Sequence, residues 1–150
     1  MKAQDAIFLP AGQGRNANVI GMTHITKVSP VEDGAAFLAA EIIIPPRCGP
    51  PMHRHAADSE CFYVLEGQIT FGTPDGEIVA KPGEFCFLPA GGAHSFRNDG
   101  DQNAKAFVVV SPGVAAHYFF GELDRSLNGK VDVAAVAEIG ARNGLSFVTA

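Results

Sequence analysis

Glycine and proline interrupt this chain at short intervals, and no other feature limits its fold as strongly. The 150 residues include 17 Gly and 10 Pro, and the runs between them are short and rich in Val, Ile, Phe and Thr. Closely spaced helix breakers disfavour long helices, whereas short strands joined by tight turns accommodate them. The pattern predicts an all-β protein built as an antiparallel sandwich or barrel.

Eight segments have the length and composition of strands. They are Ile20–Val28, Phe37–Ile44, Cys61–Leu65, Gln68–Gly72, Glu77–Ala80, Glu84–Leu88, His94–Arg97 and Lys105–Ser111. Two of the connections, at Glu66-Gly67 and at Pro74-Asp75-Gly76, have the composition of hairpin turns.

The pattern changes after Pro112-Gly113. Ala115–Leu123 and Val133–Asn143 have apolar residues near helical spacing. Asp132 is placed to cap the start of the second helix, and Gly144 to close its end. We therefore predict one domain, with a barrel at about 17–112 and a short C-terminal helical tail at about 114–145.

Charge and cysteine content narrow the classes of function. The net charge is −5 and the sequence pI is about 5.4, which favours neither nucleic-acid nor anionic-membrane binding. The first ten residues lack the apolar stretch of a signal peptide, and Glu41 interrupts the longest apolar region. Three cysteines, Cys48, Cys61 and Cys86, cannot all pair within one chain. We predict free thiols and a cytoplasmic protein.

Two segments carry residues that suit a metal ion. On an extended backbone, His53 and His55 point to one face and Arg54 to the other. Glu60 follows after a short turn, and a hairpin at Pro89–Gly92 can bring in His94 as a third imidazole. Three nitrogen ligands and one carboxylate suit a first-row divalent ion, with coordination positions left open for a substrate.

These two segments resemble the two motifs of the cupin superfamily. The first motif, G-x5-H-x-H-x3,4-E-x6-G, is matched at His53, His55, Glu60 and Gly67. Its first glycine falls at Arg47, and the nearest glycine is Gly49. The fixed positions of the second motif, G-x5-P-x-G-x2-H-x3-N, are all matched, at Gly83, Pro89, Gly91, His94 and Asn98.

The resemblance implies a double-stranded β-helix, the jelly-roll or cupin barrel, with a metal inside its mouth. It implies four metal ligands: His53, His55, Glu60 and His94. The short spacing between the motifs resembles small bacterial single-domain cupins, and the general layout is similar to the quercetin-dioxygenase-like group. The metal implied is Fe, with Ni, Mn, Co, Cu or Zn also compatible.

Three functions follow as alternatives. The first is a metal-dependent oxygenase of a small aromatic or enolic substrate, in which Glu60 serves as ligand and catalytic base. The second is an isomerase, epimerase or cyclase that works without oxygen, and the third is a non-catalytic module that binds a small ligand. Apolar Phe side chains facing the metal would favour an aromatic substrate over a sugar.

The remaining candidates are assigned to ordinary structural roles. We expect His24 to lie on a strand surface or barrel rim, His117 on a helix surface, and Arg54 to point outward and pair with a carboxylate. At least half of the strand Phe residues should pack in the core. We expect a homodimer, formed through the segment before Gly21 or the face that carries Tyr63 and Leu65.

Overall fold

The computed structural model describes residues 5–148, which form eleven strands and three helices. The strands are β1 (Arg15–Val19), β2 (Met22–Val28), β3 (Leu38–Ile44), β4 (His53–His55), β5 (Ser59–Glu66), β6 (Ile69–Thr73), β7 (Gly76–Ala80), β8 (Phe85–Leu88), β9 (Ser95–Arg97), β10 (Ala104–Ser111) and β11 (Leu145–Phe147). The helices are α1 (Pro30–Asp33), α2 (Val114–Leu127) and α3 (Val133–Arg142).

The strands form three antiparallel sheets. The largest has the order β1-β2-β3-β10-β5-β8, the second has the order β7-β6-β9, and β11 pairs with β4. The two larger sheets meet through aromatic side chains, because the Phe62 ring of β5 lies 5.1 Å from Phe71 of β6 and 5.0 Å from Phe96 of β9. The predicted jelly-roll barrel followed by short helices is confirmed.

Alternation along the strands places the core inside the barrel. On β5 the inward positions are Glu60, Phe62 and Val64, and each of them is buried. Burying each large apolar side chain stabilises the fold by roughly 1.5–3 kcal/mol. The same alternation exposes Tyr63 and Leu65 on the outer face. One strand thus supplies a carboxylate to the interior and apolar surface to the outside.

Most predicted strands are confirmed, and the first of them needs a correction. The prediction began at Ile20, but Ile20 and Gly21 form the turn of a hairpin in which Val19 pairs with Met22. Both turn residues have positive φ, 49° at Ile20 and 91° at Gly21. A β-branched residue rarely adopts this conformation, so Gly21 was the only sign of the turn, and the prediction placed it inside the strand. The strands β1, β4 and β11 and the single-turn helix α1 were also absent from the predicted elements, although an extended backbone was expected at His53–His55.

A buried carboxylate fixes helix α2 against the barrel. Asp58 accepts hydrogen bonds from the backbone N–H groups of Gly113, at 2.8 Å, and Ala116, at 3.0 Å. These bonds satisfy the free amides at the helix start and place negative charge at its positive end. Helix α2 therefore buries Phe119 and Leu123.

Helix α3 follows the prediction closely. It runs from Val133 to Arg142, and the Asp132 side chain accepts a hydrogen bond from Ala135 N at 3.1 Å. After Gly144 the chain returns to the barrel as β11, where the prediction had no strand. None of the helices within residues 5–148 combines the length and the apolar character that crossing a bilayer requires.

Candidate metal centre

The backbone joins two of the predicted ligands directly. His53 N donates to His94 O at 2.8 Å, and His94 N donates to His53 O at 2.9 Å. This reciprocal pair is an isolated antiparallel bridge. Residues directly opposite each other in such a bridge project their side chains to the same side of the ladder. The two cupin-like segments therefore meet at their histidines.

Strand β4 and its partner β11 build one wall of the site. His53 and His55 are buried and Arg54 between them is exposed, as alternation predicts. In the β4–β11 ladder, Leu145 lies opposite His55 and Phe147 lies opposite His53. Since cross-strand partners share a face, two apolar side chains flank the imidazoles.

Three imidazoles and one carboxylate converge inside the barrel. The candidate ligand nitrogens of His53, His55 and His94 lie within 4.8 Å of one another. Glu60 Oε1 is 3.6 Å from His55 Nε2, and Glu60 Oε2 is 3.3 Å from His94 Nε2. The structure thus brings all four predicted side chains together.

Backbone carbonyls orient two of the rings. His53 Nδ1 lies 2.7 Å from Pro51 O, and His94 Nδ1 lies 3.3 Å from Gly92 O. A carbonyl can only accept, so each Nδ1 donates and carries the ring proton. In a neutral imidazole this leaves Nε2 with a free lone pair, which is the arrangement that outer hydrogen bonds impose on metal-binding histidines.

Burial and the neighbouring rings set the charges of the cluster. Burial lowers the pKa of His53 to about 4, and the neighbouring imidazole of His94 adds to the effect. Burial alone would raise the pKa of Glu60, but the surrounding imidazoles of His94, His55 and His53 outweigh it and hold the pKa below its ordinary value. At neutral pH His53 is therefore a neutral imidazole and Glu60 an ionised carboxylate.

The donor set fits a divalent transition metal. Glu60 Oε2 and His94 Nε2 are buried and have no hydrogen-bond partner among the described residues. Buried polar atoms without partners are destabilising, and a cation bound between them would satisfy both. Imidazole and carboxylate suit the later first-row ions. Three buried histidines of this chain could therefore bind a metal ion.

His53, His55 and Glu60 line a small, mainly apolar cavity. Its volume is about 30 Å³, and its lining includes Phe62, Phe96, Phe119, Phe120 and Leu145. Ile20, Val136 and Phe147 line both this cavity and a wider outer pocket of about 370 Å³. These three side chains form the wall between the inner cavity and the outer pocket.

The prediction for His24 is wrong. Its side chain is buried rather than placed on a surface or rim, with 2% of the residue exposed. It lines the same cavity as His53, His55 and Glu60. Burial lowers its pKa to about 4, with the nearby Glu60 carboxylate acting in the opposite direction. The run Thr23-His24-Ile25 indicated two strand faces but not which of them was the inner one.

The other histidine and the arginine stay outside the cavity. His117 is half-buried on α2 and lines a separate surface pocket, in agreement with the prediction. Arg54 points outward as predicted, but no carboxylate of residues 5–148 lies within 4.0 Å of it. Among the six strand Phe residues, Phe62, Phe71 and Phe96 are buried, whereas Phe85, Phe87 and Phe107 are exposed.

A small jelly-roll barrel with three buried histidines and a glutamate at its mouth defines the class of this protein. Residues 40–110 match the family described as "Cupin domain", which includes all four side chains. The chain belongs to the cupin superfamily.

Known proteins similar to the chain differ in their described activities. Quercetin 2,3-dioxygenase from Bacillus subtilis (strain 168) is 40% identical over 67 residues, covering 45% of this chain and 20% of that protein. The oxalate-binding protein of Thermotoga maritima is 26% identical over 91 residues, or 61% of this chain and 74% of its own length. The solved polyketide cyclase RemF from Streptomyces resistomycificus has a TM-score of 0.63 at 27% identity, covering 72% of this chain and 80% of its own.

The likeness to the dioxygenase is local. The matching segment corresponds to only a fifth of that protein's length. The shared segment is only part of a barrel. Proteins with the same fold carry sites of widely different chemistry. The similarity therefore supports the family and leaves the reaction to be argued from the site.

Proposed function

We propose that this protein is a metal-dependent oxygenase of a small enolic substrate, with His53, His55, Glu60 and His94 as metal ligands. One observation carries the proposal: three buried imidazoles and a carboxylate converge beside a small, mainly apolar cavity, and Glu60 Oε2 and His94 Nε2 have no hydrogen-bond partner among the described residues. A structural metal site is usually saturated by protein ligands, whereas a cavity beside the ligands leaves space for a reactant.

The cavity volume favours a small substrate. It is about 30 Å³, whereas an apolar cavity of roughly 150 Å³ is known to hold benzene. A flavonol would fit only if the wall of Ile20, Val136 and Phe147 moved aside into the outer pocket. The small cavity therefore favours a compact enolic compound over the polycyclic aromatic class.

The residues around the cavity supply distinct functions. A divalent transition metal, when bound, supplies Lewis acidity and lowers the pKa of an oxygen ligand. The ionised Glu60 can accept the proton of a substrate hydroxyl when its carboxylate moves from the role of ligand to that of base. The phenylalanines and Leu145 exclude water, which strengthens electrostatic interactions within the site.

Oxygen uptake by metal-loaded protein tests the proposal. Protein loaded separately with Fe(II), Mn(II), Co(II), Ni(II), Cu(II) or Zn(II) would be mixed with catechol, a flavonol or a 1,3-diketone in its enol form. We expect uptake with a redox-active metal and the smallest enol, and its loss in Glu60→Gln. Arg54→Ala is the matched control, because Arg54 lies between two proposed ligands but points away. No uptake with any metal and substrate would contradict the proposal.

A second candidate is an oxygen-independent isomerase, epimerase or cyclase. The similarity to the polyketide cyclase favours it, because that match covers most of both chains. The same Glu60 can move a proton on an enolic substrate without any oxidant. Turnover under strict anaerobiosis would identify this reaction, and dependence on dioxygen would exclude it. A ligand released unchanged under both conditions would instead indicate the binding module, which the similarity to the oxalate-binding protein favours.

We also propose that the protein forms a homodimer. Strand β8 is an edge of the largest sheet, and its Phe85 and Phe87 are 62% and 59% exposed. An edge strand has unpaired backbone groups, and a two-fold copy can pair with it while covering the apolar side chains. Analytical ultracentrifugation should show a dimer that Phe87→Lys dissociates. A wild-type monomer at micromolar concentration would contradict this interface.

The cytoplasmic location is kept as part of the proposal. Cys48, Cys61 and Cys86 are all free thiols in the structure. Burial raises the pKa of Cys48 and Cys86, which makes these two thiols less reactive. Free, weakly nucleophilic thiols are typical of a protein kept in a reducing compartment. Fractionation of the producing cells tests this assignment.

A further inference from the structure

His24 is the polar residue of the cavity that the proposed metal site does not use. It lies on β2, across the barrel interior from β4, and its ring lines the cavity shared with Glu60 and His53. It does not belong to the cluster of three histidines whose nitrogens lie within 4.8 Å of one another. His24 therefore faces the contents of the cavity without being one of the converging ligands.

Neither nitrogen of the His24 ring has a hydrogen-bond partner among the described residues. Both Nδ1 and Nε2 are buried, and the residue is 2% exposed. Leaving a buried polar group unsatisfied is destabilising by about 1–3 kcal/mol. The aromatic ring of Phe120 contacts the imidazole edge-on at 4.6 Å and fixes its position, but a phenyl ring provides no strong acceptor.

The hydrogen-bond partner of His24 must therefore be a molecule bound in the cavity. A neutral imidazole has one N–H donor and one acceptor nitrogen, and its two tautomers let it serve either kind of ligand atom. It can donate to a carbonyl oxygen or accept from a hydroxyl. A ligand with a methyl group in place of that oxygen would leave the His24 ring without a hydrogen bond.

The charge of the site narrows the ligand further. An imidazole must be neutral to bind a metal, so three such ligands, one carboxylate and a divalent cation would together carry a net charge of +1. An unbalanced charge in a dry cavity is unfavourable, and a monoanionic ligand removes the imbalance. The cavity volume of about 30 Å³ favours the smallest anions, because a bulkier one would have to displace more of the wall formed by Ile20, Val136 and Phe147.

We propose that His24 binds the second oxygen of a small monoanionic substrate, a hydroxycarboxylate or the enolate of a hydroxycarbonyl compound, whose first oxygen lies at the metal. This inference rests on the proposed metal site and names the substrate class for it. His24 is thus a ligand-binding residue that selects substrates carrying a hydroxyl or carbonyl group over their apolar analogues.

The test uses two probe ligands that differ in one group. Glycolate and propionate are monoanions of similar size, with a hydroxyl in one where the other has a methyl. Both would be titrated into Co(II)-loaded protein, with the visible absorption of Co(II) and calorimetry as readouts. Wild type, His24→Leu and His24→Gln would be compared after the Co(II) content of each has been measured.

We expect His24→Leu to weaken glycolate binding by roughly 5- to 100-fold, which is the effect of leaving the ligand hydroxyl unsatisfied. Propionate affinity should stay within about twofold, because it makes no hydrogen bond to His24. His24→Gln, which keeps a donor and an acceptor, should recover part of the glycolate affinity.

Each other outcome has a separate meaning. Equal losses for both probes, or no loss for glycolate, would overturn the role of His24 while leaving the metal site intact. Normal Co(II) content in wild type without binding of either probe would overturn the substrate class. Failure of wild type to take up Co(II) would overturn the proposed function itself, and the inference with it.

Discussion

The side chains at the two ends of the barrel interior differ in whether they have partners within the protein. At the packed end, formed by the rings of Phe62, Phe71 and Phe96, each centroid lies between 5.0 and 6.4 Å from the other two. At the metal end, formed by His24, His53, His55, Glu60 and His94, four buried nitrogen and oxygen atoms of His24, Glu60 and His94 have no hydrogen-bond partner within residues 5–148. Packed apolar groups stabilise a fold, whereas unsatisfied polar groups destabilise it and are kept where a ligand uses them.

Strand β5 shows how one element serves both ends. Its inward positions are Glu60, then Phe62, then Val64, so two residues along the strand separate the carboxylate from the aromatic core. Phe62 both lines the cavity and packs on Phe71. The aromatic cluster therefore acts as a rigid floor for the metal end, and changes at the two ends should affect different measurements.

Removing a proposed ligand should produce the largest effect. In His94→Ala the backbone bridge to His53 stays, but one imidazole is lost. Replacing residues that only support a metal ligand lowers metal affinity by about 10- to 100-fold, so loss of a ligand itself should exceed about 100-fold. Competition with a chelating dye would measure this. The control variant Arg54→Ala should keep the metal affinity of the wild type. A His94→Ala variant that also kept this affinity would show that the metal is bound elsewhere.

A substitution at the packed end should destabilise the fold and spare the metal. Phe71 is 3% exposed and does not line the cavity. Phe71→Ala should lower the free energy of unfolding by about 3–5 kcal/mol. Its cross-strand partner Ile78 is 72% exposed, so Ile78→Ala should change stability by no more than about 0.5 kcal/mol. Urea titration measures the free energy of unfolding of both variants. If folded Phe71→Ala had an altered metal affinity, the packed end and the metal end would not be independent.

Acid should destabilise the metal-free protein through His24. Its pKa is lowered from 6.5 to about 4 in the folded state, so the unfolded chain binds the proton more readily. Stability is therefore lost as the pH falls from 6.5 to about 4, with no contribution above this window and no further loss below it. The expected loss is roughly 3 kcal/mol. His24→Leu should lack this part of the pH dependence, and parallel urea-denaturation profiles for the two proteins would contradict the assignment.

Asp58 offers a test of how the helices are joined to the metal end. Asp58→Ala removes both hydrogen bonds to the start of α2, which carries Phe119 and Phe120 over the cavity. Leaving buried N–H groups without partners should destabilise the protein by about 1–3 kcal/mol. The exposed cap of α3 is the control, since Asp132→Ala should cost about 1 kcal/mol. If Asp58→Ala and Asp132→Ala lost equally little stability in urea titrations, the barrel would not depend on the hydrogen bonds of Asp58 to helix α2.

The converging residues were predicted in part from local geometry and in part from the cupin resemblance. Alternation alone places His53 and His55 on one face, whereas the position of His94 beside them is a long-range pairing that the two motifs implied. Most strands were also predicted from local sequence, since Gly and Pro mark their ends. Helix α3 was recognisable from its apolar stripe and from Asp132 at its start.

The missed features depend on contacts between distant parts of the chain. Strand β11 has three residues, too few for a period, and forms only because β4 offers it a partner. Its residues Leu145 and Phe147 therefore could not be assigned to the cavity in advance. Alternation around His24 defined two faces, but the inner face was fixed by pairing with β3, where His24 lies opposite Ile42. Long-range pairing decided each of these cases.

The departure from the cupin motif at Arg47 has a conformational counterpart. Arg47 stands where the motif has glycine, and its φ is 62°, in the left-handed region that glycine adopts most easily. The true close approach is at Gly49, where any Cβ would collide with the carbonyl oxygen of Phe96. Two positions of this loop therefore have a property that favours glycine, the positive φ at residue 47 and the close approach at residue 49. Only the second of them is glycine.

The smallest expected effect separates the conformation of Arg47 from its side-chain contacts. A non-glycine residue in the left-handed region is strained by about 1–2 kcal/mol, which Arg47→Gly relieves and Arg47→Ala does not. Both variants lose the exposed ion pair with Asp101, at 2.9 Å, which contributes no more than about 1 kcal/mol. Greater freedom of glycine in the unfolded chain offsets part of the relief, by about 0.5–1 kcal/mol. Arg47→Gly should therefore be more stable than Arg47→Ala in urea titrations, by about 1.5 kcal/mol at most, and the reverse order would show that the loop is not strained at this position.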